Sequence, residues 1–346
     1  MYKNLNLIKS IALFLVIVIH FSYQPYLFID ETMKFNLFVM FRSFLSSAVP
    51  LFLFTSGYLI INKEYELRKI LKKIIVLILL LFLFKFLYAL AFNNAQFSRE
   101  SITFFFTTTG AIGYRVNSLW FMYALIGIFI LLPIIQLVYN SPKLYTYLCL
   151  VVCIYAFVIV PFQIVFNANH NFNIQVFDVT FPFRTHYEFA LGYFLIGGLI
   201  KQNIDKISKI RVGIVYLIIL AIFSVFIHAL ISIYLNNIQD IFFDPMYDGY
   251  SLFTNVITSL IVFYILKFRL KTIDNKLINF IAKNSLLIYL LHWPITYYIK
   301  KIMFENININ MQVNNFLASI IILIICIIIT CILSFNKKLI HFLNGR

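Results

Sequence analysis

Apolar residues are gathered along this chain into ten blocks separated by short polar stretches. The blocks lie near 5–25, 37–61, 70–92, 118–139, 144–165, 186–200, 212–235, 250–268, 278–299 and 314–335. Each is long enough, or nearly so, to cross about 30 Å of hydrocarbon as an α-helix. The pattern predicts an all-α, polytopic membrane protein of about ten transmembrane helices. The sixth block is short, and its Gly192, Gly197 and Gly198 suit close helix–helix packing. The longest connections, about 93–117 and 166–185, are rich in Asn, Thr and Phe, with His170 in the second, a composition that suits a lid or a substrate-facing surface. There is no repeat of about 20–50 residues and no inverted repeat of the kind many transporters show. The chain, 1–346, reads as a single membrane-embedded domain with no soluble domain appended.

Composition agrees with lipid as the solvent. Of the 346 residues 62% are hydrophobic and only 12% are charged, where a soluble domain averages about 25% charged. A net charge of +15 resembles that of a nucleic-acid binder. The basic residues, however, sit in short runs between apolar blocks, where they act as topology anchors, and no nucleic-acid partner is expected.

Lys and Arg then orient the chain. One set of loops holds Lys63, Arg68, Lys69, Lys72, Lys73, Lys143, Lys201, Lys206, Lys209, Arg211, Lys267, Arg269, Lys271 and Lys276, and the tails add Lys3, Lys9, Lys337, Lys338 and Arg346. The opposite loops hold Lys34, Arg99, Arg115, Arg184, Lys300 and Lys301. Nineteen against six places both termini in the cytoplasm. The stretch 236–249 has no Lys or Arg and carries Asp240, Asp244 and Asp248. Their spacing lacks the EF-hand pattern, so a solvated external turn is expected there rather than a calcium site. The N-terminus has the Lys3 and Lys9 of a signal peptide but no small-residue cleavage site after its apolar run, and reads as a retained first helix. The pairs Cys149/Cys153 and Cys326/Cys331 lie inside apolar blocks without metal-ligand partners, so no metal site is expected.

Ionisable groups inside lipid are expensive, and each is a functional candidate. His20 falls in the outer half of the first block, and Lys9 lies eleven residues before it. Eleven steps of about 100° return nearly to the starting face, at about 16 Å along the axis. Lys9 and His20 thus share one stripe, either as a cation and a base serving one ligand or as a snorkelling Lys and a hydrogen-bonded His. His292 reaches a similar depth in the ninth block, so the two histidines form a shared polar site or are separately structural. Trp120, near the outer start of the fourth block with Tyr123, is an interfacial belt residue or a stacking surface for a sugar. Arg42, Lys85 and Glu188 are predicted buried in the outer half, with Glu188 balancing one of the two cations. His228 is expected to pack in the core, while Arg184 and His186 stand at the mouth of the sixth block. The run Lys69, Lys72, Lys73 is an orientation signal that would also suit nucleotide phosphates.

Four stretches together resemble the acyltransferase-3 family of membrane O-acyltransferases over nearly the whole chain. Lys9 and His20 are similar to the family's Arg, ten residues, His. Val49-Pro50-Leu51-Phe52-Leu53-Phe54-Thr55-Ser56-Gly57-Tyr58 resembles its Pro-Leu-Phe-Phe…Ser-Gly-Phe/Tyr signature. Leu119-Trp120-Phe121-Met122-Tyr123-Ala124-Leu125 with Pro133 resembles its Leu-Trp-Phe…Pro block. Ser285, Ile288, Tyr289 and His292 resemble its Ser-Leu-Gly-Ile-Tyr…His block, with Leu287 where Gly is usual.

The resemblance implies acyl transfer, usually acetyl from acetyl-CoA, to a hydroxyl of a surface polysaccharide or lipid-linked glycan, by a multi-pass protein of a bacterial cell membrane. His20 is then the base or acyl acceptor, with His292 as a second catalytic group. Lys9, Lys69, Lys72 and Lys73 meet the donor's phosphates. Trp120, Tyr123, Glu188, Ser285 and Tyr289 line the substrate, and no cofactor stays bound. The sequence departs from the family at Lys9, where Arg is usual, and at Asn6, where Asp is common; Lys keeps the charge but loses the bidentate grip on phosphate. A transporter or flippase of lipid-linked glycans is the rival reading from ten helices and buried charge, although broken-helix signals are weak.

Overall fold

The computed structural model describes residues 3–22, 32–63, 66–92, 119–170, 188–238, 243–245, 249–306 and 311–345. Helices follow one another as α1 (Lys3–Ser22), α2 (Thr32–Leu45), α3 (Ala48–Ile60), α4 (Leu67–Phe92), α5 (Trp120–Tyr139), α6 (Pro142–Ile154), α7 (Val160–His170) and α8 (Glu188–Gln202). After a single turn at Ile204–Ile207 come α9 (Ile214–Ile238), α10 (Phe253–Tyr264), α11 (Lys276–Lys283), α12 (Ser285–Asn306), α13 (Met311–Leu333) and α14 (Lys337–Leu343). No strand occurs among the described residues. Among them, six stretches are long and apolar enough to cross a membrane: Asn4–Phe21, Asn36–Ile60, Trp120–Tyr139, Pro142–Asn167, Ile214–Ile238 and Phe316–Leu333.

Prolines shape several of these helices, because each lacks the N–H owed to the carbonyl four residues earlier. The block 37–61 forms two helices, α2 and α3, with a turn at Ser46–Ser47. Pro50 leaves the Ser46 carbonyl without a helical donor, and Asn255 Nδ2 donates to it at 3.3 Å. The hydroxyls of Ser43, Ser46 and Ser47 turn back onto the carbonyls of Val39, Ser43 and Phe44, which loosens the same stretch. Pro161 lies just after a π turn, Tyr155–Ile159, that links α6 to α7. The wider turn takes up the ring without ending the helix. Pro294 lies inside α12. The carbonyl it frees, that of Leu290, accepts instead from the Tyr88 hydroxyl at 2.7 Å.

The helices divide into two compact units, residues 1–64 with 134–282, and residues 65–133 with 283–346. In the first, α3 and α8 pack at backbone contact. A Cβ on Gly57 would stand 1.9 Å from the Phe194 carbonyl oxygen, and one on Gly197 would stand 2.2 Å from that of Phe54. One on Gly198 would stand 2.2 Å from the Tyr145 hydroxyl oxygen, and one on Gly192 would meet the Phe157 ring. Small residues permit this approach, as expected for the sixth block. Around the seam, Tyr193 meets Phe54 edge-on at 5.4 Å, Tyr145 donates to the Leu195 carbonyl, and Tyr193 donates to that of Tyr250. Helix α1 packs on both α2 and α3, and α9 packs on α2 and α10. In the second unit α12 packs on α4 and α13, and α14 packs on α13. The cysteines are free thiols.

Candidate functional site

In the first unit, α1 runs unbroken from Lys3 to Ser22, so Lys9 and His20 lie about 16 Å apart along its axis on nearly one face. The start of the helix is pinned by side chains. Asn4 Nδ2 donates to the carbonyls of Lys267 and Leu270, both at 3.3 Å. Asn6 Nδ2 donates to Asn279 Oδ1 at 2.8 Å, and Ser10 Oγ to the Ile278 carbonyl at 3.1 Å. An amide at position 6 can make that bond, whereas an ionised Asp has no proton to give. Lys9 is half-buried, and its Nζ stands 5.4 Å from the centre of the Phe52 ring. His20 is buried, 4% exposed.

Arg42 and Asp244 correct the expected charge pairing. Arg42 is completely buried and grips Asp244 with both ends of its guanidinium, Nε to Oδ1 at 3.1 Å and Nη2 to Oδ2 at 2.5 Å. Asp244 is therefore no solvated turn residue; it is 4% exposed and neutralises a charge on α2. Glu188, expected to balance Arg42 or Lys85, forms no ion pair among the described residues. It occupies the first turn of α8, where a carboxylate complements the positive end of the helix dipole. His228 is buried, as expected of a core residue. Its Nε2–H donates to the Pro245 carbonyl at 2.9 Å, and Gly249 leaves room for the ring. Asp240, Asp248, Arg184 and His186 lie outside the described residues.

A second polar station lies in the other unit. His292, completely buried on α12, gives its Nδ1–H to the Tyr289 carbonyl, which leaves the lone pair on Nε2. One turn on, the buried Thr296 hydroxyl has no hydrogen-bond partner among the described residues. Tyr289 packs on Phe121 at 5.3 Å, and Phe121 meets Trp120 edge-on at 5.9 Å. Trp120 is buried and stands at the end of this aromatic chain. The buried Lys85 places Nζ 5.4 Å from the centre of the Tyr123 ring. Ser285 opens α12, and its neighbour Asn284 accepts from Asn344 Nδ2 at 2.8 Å. On α4, Lys69 and Lys72 are exposed, and Lys69 pairs with Glu66 at 3.0 Å on the surface, an arrangement worth little energetically. Lys73 donates to the Gly345 carbonyl and covers the Phe129 ring, so it tethers the C-terminal turn.

His20 thus belongs to one unit and His292 to the other. Sequence reasoning missed Asp244 as the partner of Arg42, and it treated Lys201 and Lys267 only as orientation anchors. Both of those ammonium groups lie over the Tyr58 ring, at 5.1 Å and 5.5 Å. The signal that Tyr58 ends the family-like stretch was present, but nothing local tied it to either lysine. An open groove of about 260 Å³ among Ile207, Val212, Leu217, Leu260, Tyr264 and Phe268 presents an apolar surface, the Tyr264 hydroxyl being turned to the Ile210 carbonyl.

Among known proteins, the profile of the acyltransferase-3 family, described as an acyltransferase domain, matches residues 2–335. No curated protein and no solved structure matches the chain.

Proposed function

Because the chain belongs to the acyltransferase-3 family, and is a membrane acyltransferase, we propose that it moves an acetyl group from acetyl-CoA to a hydroxyl of a surface or lipid-linked polysaccharide. About ten helices cross the membrane with both termini in the cytoplasm, so that Lys9 faces the donor's side. The observation that carries the reading is the unbroken α1, which holds a half-buried cation and a buried imidazole on one stripe about 16 Å apart. That span suits a pantetheine arm, with the donor's phosphates at Lys9 and its thioester at His20.

In this mechanism His20 takes the proton of the acceptor hydroxyl as the oxygen attacks the thioester carbonyl. The tetrahedral intermediate collapses, the C–S bond breaks, and the coenzyme A thiolate leaves with the proton from the imidazolium. An acyl-imidazole formed first, then attacked by the hydroxyl, gives the same balance. His292, with its lone pair on Nε2, is the second candidate base.

The test is acetylation of surface glycans in cells carrying His20→Ala, His292→Ala or Lys9→Ala, with the amount of folded protein in the membrane measured alongside. His20→Ala abolishes acetylation at normal protein level. Lys9→Ala raises KM for acetyl-CoA while kcat is little changed. Full acetylation by His20→Ala overturns the mechanism, and an unchanged KM in Lys9→Ala makes Lys9 a topology anchor only.

A further inference from the structure

Two positive charges converge on one buried ring in the first unit. Lys201 reaches Tyr58 from the last turn of α8, and Lys267 reaches it from a π turn, Ile265–Arg269, that ends α10. Their Nζ atoms lie 5.1 Å and 5.5 Å from the ring centre, so the two ammonium groups are at most the sum of those distances apart. Both lysines are half-buried, and Tyr58 is 2% exposed. Among the described residues Lys201 has this ring and no carboxylate partner. A ring quadrupole attracts each cation but does not cancel the repulsion between them. An anion between them does.

The surroundings favour a ligand over a passive anchor. π turns interrupt the regular ladder and recur at functional sites, and here the Leu270 N–H bonds back to the Ile265 carbonyl. The carbonyls of Lys267 and Leu270 are held by Asn4 of α1, the helix that carries Lys9 and His20. Tyr58 and Phe52, the ring beneath Lys9, lie six residues, or about 9 Å, apart along α3. The ring beneath Lys9 and the ring beneath Lys201 and Lys267 thus both belong to α3.

We propose that Lys201 and Lys267, which converge on Tyr58, form a binding site for a phosphoryl anion. Two sources share that chemistry, the phosphates of a coenzyme A donor and the headgroup of an anionic phospholipid. Assignment to the donor rests on the function proposed above; the site itself does not.

The full chain is reconstituted in nanodiscs of phosphatidylcholine, with or without phosphatidylglycerol, as wild type, Lys201→Gln, Lys267→Gln and Lys201→Arg. Coenzyme A affinity is measured by titration, and stabilisation by phosphatidylglycerol is measured by thermal unfolding. If the donor is the source, each Gln variant weakens coenzyme A binding about tenfold, the loss of one charge-assisted contact, and Lys201→Arg keeps it. If the lipid is the source, coenzyme A binding is unchanged, but the stabilisation by phosphatidylglycerol disappears in both Gln variants and survives in Lys201→Arg. Either result supports the site. Coenzyme A affinity and lipid stabilisation both unchanged in folded Gln variants overturn it. Wild type that fails to bind coenzyme A at all counts against the proposed function and leaves the lipid arm to decide the site.

Discussion

Tyr88→Phe tests how the second unit holds its proline-containing helix α12. Tyr88 is 1% exposed and donates at 2.7 Å to the carbonyl of Leu290, itself completely buried. That carbonyl lacks its helical donor only because residue 294 is Pro. Removing the hydroxyl leaves a buried acceptor unmet, a loss of about 1–3 kcal/mol in water-soluble proteins. Hydrogen bonds between membrane helices average about 0.6 and reach about 1.7 kcal/mol. A cost of about 1–2 kcal/mol follows for an acceptor buried this deeply. The unfolding midpoint falls by about 2–4 °C for each kcal/mol in a chain of moderate size.

The decisive comparison is the same change made in a Pro294→Ala background. The alanine there supplies the missing N–H, the Leu290 carbonyl is satisfied within α12, and Tyr88→Phe then costs less than about 0.5 kcal/mol, because no buried acceptor is left unmet. The coupling between the two positions is about 1 kcal/mol, within the range seen for residues sharing one polar group. Thermal unfolding of the four purified proteins, followed by tryptophan fluorescence in one detergent, completes the cycle. Equal losses from Tyr88→Phe in both backgrounds refute the account of Pro294.

Asp244→Ala leaves the Arg42 guanidinium buried without its carboxylate and lowers stability by about 3–5 kcal/mol, while a joint change of Arg42 and Asp244 to Leu recovers most of it; midpoints from thermal unfolding check both. Gly197→Val places side-chain atoms where a Cβ alone already stands 2.2 Å from the Phe54 carbonyl oxygen. It drives α3 from α8, and folded protein in the membrane falls sharply, whereas Gly213→Val, at a site where the nearest atom lies 3.0 Å away on the exposed Tyr216 ring, leaves the amount nearly unchanged. A green fluorescent protein fused after Arg346 is fluorescent if the C-terminus is cytoplasmic, and a periplasmic reporter at the same place stays inactive; the opposite pair of results reverses the proposed orientation.

Much of the fold is legible because lipid imposes a simple rule on sequence: apolar blocks become helices. The breaks are less legible. Block 37–61 is apolar almost throughout, and the turn at Ser46–Ser47 depends on Pro50 together with Asn255, more than two hundred residues away. The close seam of α3 and α8 was half visible, since the glycines of α8 were evident but the matching role of Gly57 was not. Asp244 looked like a solvated loop residue because its neighbours in sequence are acidic, and only the fold brings Arg42 to it. In the candidate site, the Lys9–His20 stripe is a local property of one helix and could be read directly. The convergence of Lys201 and Lys267 on Tyr58 joins three distant segments, and positive charge beside a membrane block has an adequate explanation without it.

The central claim is that His20 performs acyl transfer at the end of the α1 stripe. Mass spectrometry of surface glycans from cells with wild-type protein, His20→Ala, or no gene tests it most directly, with membrane levels of each protein confirmed. The account predicts that His20→Ala glycans lose the mass of an acetyl group at every modified sugar and match those of cells without the gene. Glycans from His20→Ala that keep the wild-type acetyl mass contradict it.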